Sequence, residues 1–210
     1  MNHIVLLGDS IFDNGVYVNG GPDVRQQLVS KLPVGWKATL CAVDGSVVQN
    51  VSSQLKEVPQ DATHLIVSVG GNNALGNINI LNEQASSAAE VLNRLSDVAD
   101  QFQLQYRQML QEVLELGLPT AVCSVYYPRL PEPLLQRIAV TALAVFNDII
   151  ILEAFRARVP LLDLRLICNE ASDYANEIEP STAGGEKIST AILSVVTKHD
   201  FTKQRTEIFI

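Results

Sequence analysis

Five short apolar runs, separated by segments with helical periodicity, are the feature of this sequence that most restricts its fold. The runs are rich in branched residues, as buried strands are. They lie at 3–7, 37–42, 64–69, 120–125 and 160–164. Strands that alternate with helices form a parallel sheet covered on both faces. The pattern therefore predicts an α/β protein, and the absence of a linker or repeat in 210 residues predicts one domain over 1–210.

The segments between the apolar runs place apolar residues three or four positions apart, as amphipathic helices do. The predicted helices cover 22–32, 47–55, 82–116, 133–159 and 183–199. The third one stops at Gly117, with Pro119 two residues beyond, which is typical of a helix end. Each connection between successive predicted strands thus carries a helix.

Charge and composition exclude several functional classes. With 15 Lys and Arg against 23 Asp and Glu, the net charge of −8 argues against binding nucleic acid or anionic lipid. We expect no membrane span, because no apolar run reaches the roughly 18 residues that are needed to cross a bilayer. The chain enters its first strand without a basic, signal-like segment, so we expect a cytoplasmic protein. Three widely spaced cysteines fit neither a disulfide framework nor a zinc site.

Polar or glycine-rich segments follow the predicted strands. Gly8-Asp9-Ser10 follows the first strand, 43–46 the second, 70–73 the third and 176–181 the fifth. Because the carboxyl ends of parallel strands meet at one edge of a sheet, we expect these segments to converge. A serine hydroxyl facing glycine N–H groups and an asparagine amide provides a nucleophile and an oxyanion hole. These segments therefore predict an acyl-transfer site.

Taken in order, these blocks resemble those of the SGNH or GDSL hydrolase superfamily of esterases and lipases. The resemblance implies a flavodoxin-like three-layer α/β/α sandwich with a five-stranded parallel sheet and no cofactor. We also expect no metal, because no histidine pair or carboxylate cluster has the spacing of metal ligands. It implies Ser10 as the nucleophile. It also implies an oxyanion hole formed by the N–H groups of Ser10 and Gly45 and by the side chain of Asn72. Asn73 stands where the family usually has an aspartate, and is a possible supporting residue.

The last block departs from the family pattern, which is Asp-x-x-His-Pro. Here the chain reads Asn-Glu-Ile-Glu-Pro over 176–180. Glu179 therefore stands at the histidine position, and Asn176 stands at the aspartate position as a second possible supporting residue. We expect Glu179 to take the catalytic role of the histidine.

No histidine is expected to replace it. His3 and His64 begin their strands, which places them roughly 20 Å from the site at about 3.3 Å per residue. His199 follows the last helix. A base must lie within about 2.6–3.2 Å of the hydroxyl that it deprotonates.

A glutamate is a weak base at its ordinary pKa of about 4.3, compared with about 6.5 for histidine. Burial or a neighbouring carboxylate would raise the pKa of Glu179 and improve the match to neutral pH. Glu177 and Asp173 are the candidate carboxylate neighbours in the sequence.

The sequence thus predicts a serine hydrolase with a Ser10–Glu179 site that acts on small acyl esters or acetylated substrates. The alternative is a catalytically degenerate relative that binds an ester or carbohydrate without turnover. Tyr126 and Tyr127 are candidate walls of the pocket, or half-buried aromatics at the rim. A nucleotide-binding module has less support, because no phosphate-binding glycine motif is present. The sequence leaves the oligomeric state open.

Overall fold

A single parallel sheet organises the chain in the computed structural model, which describes residues 2–210. Its strands are β1 His3–Gly8, β2 Lys37–Leu40, β3 His64–Ser68, β4 Thr120–Cys123, β5 Leu161–Leu162 and β6 Ile208–Phe209. They lie in the order β2-β1-β3-β4-β5-β6, and every neighbouring pair is parallel. The first five follow the flavodoxin-like order 2-1-3-4-5. The predicted three-layer α/β architecture is confirmed.

The prediction of five strands is wrong by one edge strand. The sixth strand, β6, has only two residues and pairs with β5 near the carboxyl terminus. So short an apolar segment cannot be distinguished from a loop by periodicity. Its register depends on tertiary contacts, including one in which the Glu207 carboxylate lies 2.6 Å from His199 Nδ1.

Within residues 2–210, seven α-helices accompany the sheet, and capping side chains set the starts of the longer ones. Asp23, Ser87, Glu132 and Ser181 each accept hydrogen bonds from backbone N–H groups in the first turn that follows. The helices are α1 Val24–Lys31, α2 Val51–Gln54, α3 Gly71–Gly76, α4 Ala88–Leu114, α5 Pro133–Ala157, α6 Leu164–Ile167 and α7 Thr182–Lys198. The predicted helix over 47–55 is one α-helical turn between the 3₁₀ turns Val48–Asn50 and Leu55–Glu57.

Each face of the sheet has its own hydrophobic core, because alternate strand residues point to opposite faces. Val5 and Leu7 of β1 pack with α2, α4 and α5 on one face. Ile4 and Leu6 pack with α1, α6 and α7 on the other face. The carboxyl ends of the strands remain free to carry the loops that the sequence singles out.

Helix α5 is long and apolar enough to cross a membrane by length and composition, contrary to the expectation that no segment is. Helices in the core of a folded protein can have the same length and composition. The carboxyl-terminal half of α5 packs in the core through Phe146, Ile150 and Ala154. The apolar composition of this half thus has a structural cause within the fold.

Candidate active site

The turn after β1 places Ser10 at the carboxyl edge of the sheet. Gly8 has a φ of +126°, and a Cβ atom at this position would lie 1.8 Å from the carbonyl oxygen of Ser68. Only glycine therefore allows the backbone to pass this close to β3. The Asp9 N–H then donates to the same Ser68 carbonyl at 3.0 Å. The chain turns sharply, and Ser10 follows directly with a buried side chain.

The structure brings Ser10 and Glu179 together across 169 residues of sequence. Ser10 Oγ donates a hydrogen bond to Glu179 Oε1 at 3.0 Å. Glu179 is only 6 % exposed, and its second carboxylate oxygen has no hydrogen-bond partner in residues 2–210. Among these residues no lysine, arginine or histidine forms an ion pair with it. The serine therefore faces a buried carboxylate that lacks a compensating cation.

The pKa of Glu179 is raised to about 7. Burial is the main cause, and the Asp44 carboxylate adds to it, while the hydrogen bond from Ser10 acts in the opposite direction. Burial likewise raises the pKa of Asp9 to about 7, with a further contribution from the Glu179 carboxylate. Two carboxyl groups at this site thus change charge close to neutral pH.

The neighbours suggested by the sequence are not the cause of this shift. The Asp173 carboxylate accepts hydrogen bonds from Lys187 Nζ at 2.8 Å and from the Glu170 N–H at 2.9 Å. Glu177 is exposed. Asp44, which follows β2, supplies the carboxylate effect instead.

Asn176 shapes the loop that carries Glu179. Its Oδ1 atom accepts hydrogen bonds from the N–H groups of Ile178 and Glu179, both at 2.9 Å. The Ala175 N–H donates to the Glu179 carbonyl at 2.8 Å. Asn176 thus bonds to the backbone of Ile178 and Glu179, and it positions Glu179 by holding this turn.

Asn14 is a positioning residue that the sequence analysis did not identify. It is fully buried, and its Nδ2 atom donates to the Pro180 carbonyl at 3.1 Å. Its Oδ1 atom accepts from the Val24 N–H at 3.0 Å. Asn14 therefore ties the loop after Ser10 to the loop of Glu179. No periodic pattern marks a buried residue in a loop.

Gln54 is a second such residue, and it clamps the turn before Ser10. Its side-chain oxygen accepts from the Gly8 N–H, and its amide nitrogen donates to the Gly8 carbonyl, both at 2.8 Å. The same nitrogen donates to Ser46 Oγ at 3.2 Å. Gln54 is buried and lies three residues after the buried Val51, on the same apolar face of this segment. A polar residue on an apolar face was the sequence signal that could have identified it.

The other predicted donors lie in loops that are bonded to one another. Asn72 Nδ2 donates to the Ser46 carbonyl at 3.0 Å, and the Val48 N–H donates to Asn73 Oδ1 at 3.1 Å. These bonds join the loop after β3 to the loop after β2. In residues 2–210 the N–H groups of Ser10 and Gly45 have no acceptor. Both N–H groups are thus free to donate, but only Ser10 lines the cavity beside its own side chain, and Gly45 is not among the lining residues.

A cavity of about 200 Å³ opens directly onto the Ser10 side chain. Ser10, Asn72 and Glu179 contribute to its polar end, and most of the remaining wall is apolar. Tyr126 forms part of the wall and donates through its hydroxyl to the Ile178 carbonyl at 2.7 Å. Tyr127 is not among the lining residues.

The histidines make their contacts away from Ser10. The ring nitrogens of His3 lie 2.9 Å from Asp61 Oδ1 and 2.7 Å from Thr39 Oγ1, and His64 Nδ1 lies 2.9 Å from Thr63 Oγ1. The described part of the chain contains no cluster of three His, Cys, Asp or Glu side chains that could hold a metal ion.

The fold and the serine after the first strand define the class as a three-layer α/β protein with a hydrolase-like site. The profile of the GDSL-like Lipase/Acylhydrolase family matches residues 6–186. The chain therefore belongs to this family, whose members are hydrolases that act on esters. A comparison with curated proteins gives no sequence match.

Solved structures agree with this fold at low sequence identity. An extracellular lipase from Streptomyces rimosus has a TM-score of 0.66 and 16% identity, covering 95% of this chain and 100% of that chain. The acetyl xylan esterase AlAXEase has a TM-score of 0.69 and 14% identity, with coverages of 92% and 99%. Phospholipase A1 from Streptomyces albidoflavus NA297 has a TM-score of 0.63 and 15% identity, with coverages of 94% and 99%.

Proposed function

We propose that this chain is a carboxylic ester hydrolase in which Ser10 is the nucleophile and Glu179 is the general base. The hydrogen bond from Ser10 Oγ to Glu179 Oε1 carries the proposal, because covalent catalysis needs a hydroxyl within reach of its base. Membership of the acylhydrolase family supports an ester as the substrate. The lipase, esterase and phospholipase named above share the fold.

The reaction proceeds in two halves. In the first, Ser10 Oγ attacks the ester carbonyl while Glu179 accepts the hydroxyl proton. The tetrahedral intermediate collapses, the carbon–oxygen bond to the alcohol breaks, and Glu179 returns the proton to the departing alcohol. In the second, water attacks the acyl-serine, with Glu179 again taking the proton and then returning it to Ser10 Oγ. The products are a carboxylic acid, an alcohol and the original enzyme.

The raised pKa of Glu179 makes this proton transfer effective near neutral pH. A general base works best when its pKa lies near the working pH. Burial moves Glu179 from the ordinary glutamate value of 4.5 to about 7, which is close to the value expected for a histidine. The expected turnover increases with pH through this region, because only the ionised carboxylate accepts the proton.

The proposed oxyanion hole has three donors for the negative oxygen of the intermediate, as the resemblance to the family implies. The free N–H groups of Ser10 and Gly45 supply two of them. Asn72 supplies the third, because its amide nitrogen has two hydrogens and the Ser46 carbonyl uses one. Donors held in place before the reaction stabilise the developing charge without reorganisation.

The experiment that tests this proposal compares wild type with Ser10→Ala on activated p-nitrophenyl esters. Ser194→Ala is a matched control, since Ser194 lies in the carboxyl-terminal half of α7 and its side chain makes no hydrogen bond in residues 2–210. We expect turnover by wild type and by Ser194→Ala, and none by Ser10→Ala. A phosphonate probe should form an adduct at Ser10. Equal turnover by all three proteins would exclude Ser10 as the nucleophile, and binding without turnover by wild type would support the degenerate alternative.

A further inference from the structure

The first half of α4 and the first half of α5 do not pack like the second halves. In α4 every buried residue lies at or after Phe102, and in α5 every buried residue lies at or after Leu143. The amino-terminal halves are nevertheless rich in apolar side chains. The space that they enclose with α3 is the cavity beside Ser10.

The face that α5 turns toward this cavity is a regular apolar stripe. Leu135, Ala139 and Ala142 line the cavity at helical spacing, and the buried core residues Leu143 and Phe146 continue the same stripe along its wall. Leu95 and Val98 line it from α4, three residues apart. An amphipathic stripe normally packs against other apolar groups, so a stripe that lines a cavity is suited to binding an apolar ligand.

An entrance lies on the side formed by α3 and the 3₁₀ turn Ile78–Asn82. Leu75, Ile78 and Leu81 line the cavity and are also among the exposed large apolar residues. They therefore surround an opening to solvent. An apolar chain can enter between them and reach Ser10 at the polar end.

We propose that the cavity holds the acyl chain of the substrate and that this chain has about eight carbons. The inference rests on the proposed ester hydrolysis and names its substrate class. An apolar protein cavity of about 150 Å³ accommodates benzene, so 200 Å³ has room for a chain of roughly eight carbons. The sequence led us to expect small acyl or acetylated substrates. An acetyl group would leave most of this apolar surface without a partner.

Transfer of a methylene group from water into an apolar site favours binding about fourfold. For p-nitrophenyl esters from acetyl to dodecanoyl, we expect kcat/KM to increase about fourfold per methylene up to roughly octanoyl and then to level or fall. A kcat/KM that is highest for the acetyl ester would overturn the assignment, while leaving ester hydrolysis itself intact.

Two variants of α5 test whether the acyl chain of the substrate binds in the cavity. Ala142→Leu fills part of the cavity, whereas Ala144→Leu makes the same change on the exposed face of the helix. We expect Ala142→Leu to lower the octanoyl-to-acetyl ratio of kcat/KM at least tenfold and Ala144→Leu to leave it unchanged. Ala139→Leu provides a second filling variant if Ala142→Leu does not fold. An unchanged ratio in every folded filling variant would overturn the proposal.

A binding measurement separates this inference from the proposed hydrolysis. Calorimetry with Ser10→Ala and two uncharged probes, methyl octanoate and methyl acetate, reports the chain preference without turnover. We expect methyl octanoate to bind at least tenfold more tightly. If wild type hydrolyses no ester but this preference is present, the proposed catalysis fails and the acyl site stands. Equal affinity for the two probes would remove the acyl site.

Discussion

Two buried glutamates, Glu153 in α5 and Glu179 beside Ser10, occupy opposite electrostatic situations. Glu153 is 3 % exposed and accepts hydrogen bonds from Arg107 at 3.0 and 2.8 Å and from Arg156 at 2.7 Å. Burial alone would raise its pKa, but the two arginines outweigh burial and hold the pKa below the ordinary value. Glu179 is buried to a similar degree without a cation, and its pKa is raised to about 7.

The difference separates a structural carboxylate from a reactive one. A carboxylate that is paired with a cation remains ionised, and its lowered pKa makes it a poor base. An unpaired buried carboxylate is costly for the fold, and it accepts a proton near neutral pH. Removal of Glu153 should therefore affect stability, and removal of Glu179 should affect chemistry.

The largest expected effect is on ester turnover. Glu179→Gln keeps the size of the side chain and a hydrogen-bond acceptor for Ser10 but cannot take up its proton. We expect kcat to fall by about 10²–10⁴. The matched variant Glu153→Gln should retain wild-type kcat on the same p-nitrophenyl ester. Wild-type kcat in Glu179→Gln would remove glutamate from the mechanism.

The second expected effect is on stability. Here Glu153→Gln should be more harmful than Glu179→Gln, which is the opposite of their order in kcat. Glu153→Gln removes charge-assisted hydrogen bonds to two arginines, which we expect to lower the free energy of unfolding by about 1.5–3 kcal/mol. Glu179→Gln at pH 8 replaces an unpaired buried charge with a neutral amide and should increase stability. Urea unfolding of both variants at pH 8 measures this. Equal destabilisation by both substitutions would mean that the two carboxylates differ less than their contacts indicate.

The third expectation concerns pH. Because the native pKa of Glu179 is about 7 against 4.5 for an ordinary glutamate, the folded protein binds more protons between these values. Its stability should therefore decrease as pH rises from about 4.5 to 7, and Asp9 contributes in the same direction. Glu153 has a lowered pKa, so its contribution is present above pH 4.5 and is lost at more acidic pH. Unfolding curves across pH 3–8 should show a shallower decline in Glu179→Gln; an unchanged slope would contradict a raised Glu179 pKa.

The smallest effect should follow loss of one partner of Glu153. The Arg156 side chain is 52 % exposed, and Arg107 still makes two hydrogen bonds to the carboxylate without it. We expect Arg156→Ala to cost less than about 1 kcal/mol, because the arginine is half exposed and the Glu153 carboxylate keeps its hydrogen bonds from Arg107 and Gln103. Thermal or urea unfolding beside Arg107→Ala should show the larger loss in the latter. A larger loss of stability in Arg156→Ala than in Arg107→Ala would show that Arg156, rather than Arg107, is the main partner of the Glu153 carboxylate.

The architecture was largely readable from the sequence because each strand and long helix is a local pattern. Apolar runs marked β1 to β5, and apolar periodicity marked α1, α5 and α7 to within two residues. The helix predicted over 82–116 begins only at Ala88, six residues later than predicted. The short β6 was missed because two residues carry no period. The segment over 47–55 was predicted as one helix, since periodicity does not distinguish an α-helix from short 3₁₀ turns.

For the site, the sequence by itself determined the identity of Ser10 and the odd presence of Glu179 in the last block. It also indicated that their loops meet at one edge of the sheet, which is a consequence of parallel strand order. Tertiary structure alone decided the rest. The roles of Asn14 and Gln54 depend on contacts between loops, and the cavity depends on the separation of two helix halves. Most of all, the pKa of Glu179 depends on which groups surround it, because burial without a cation is a property of three-dimensional packing.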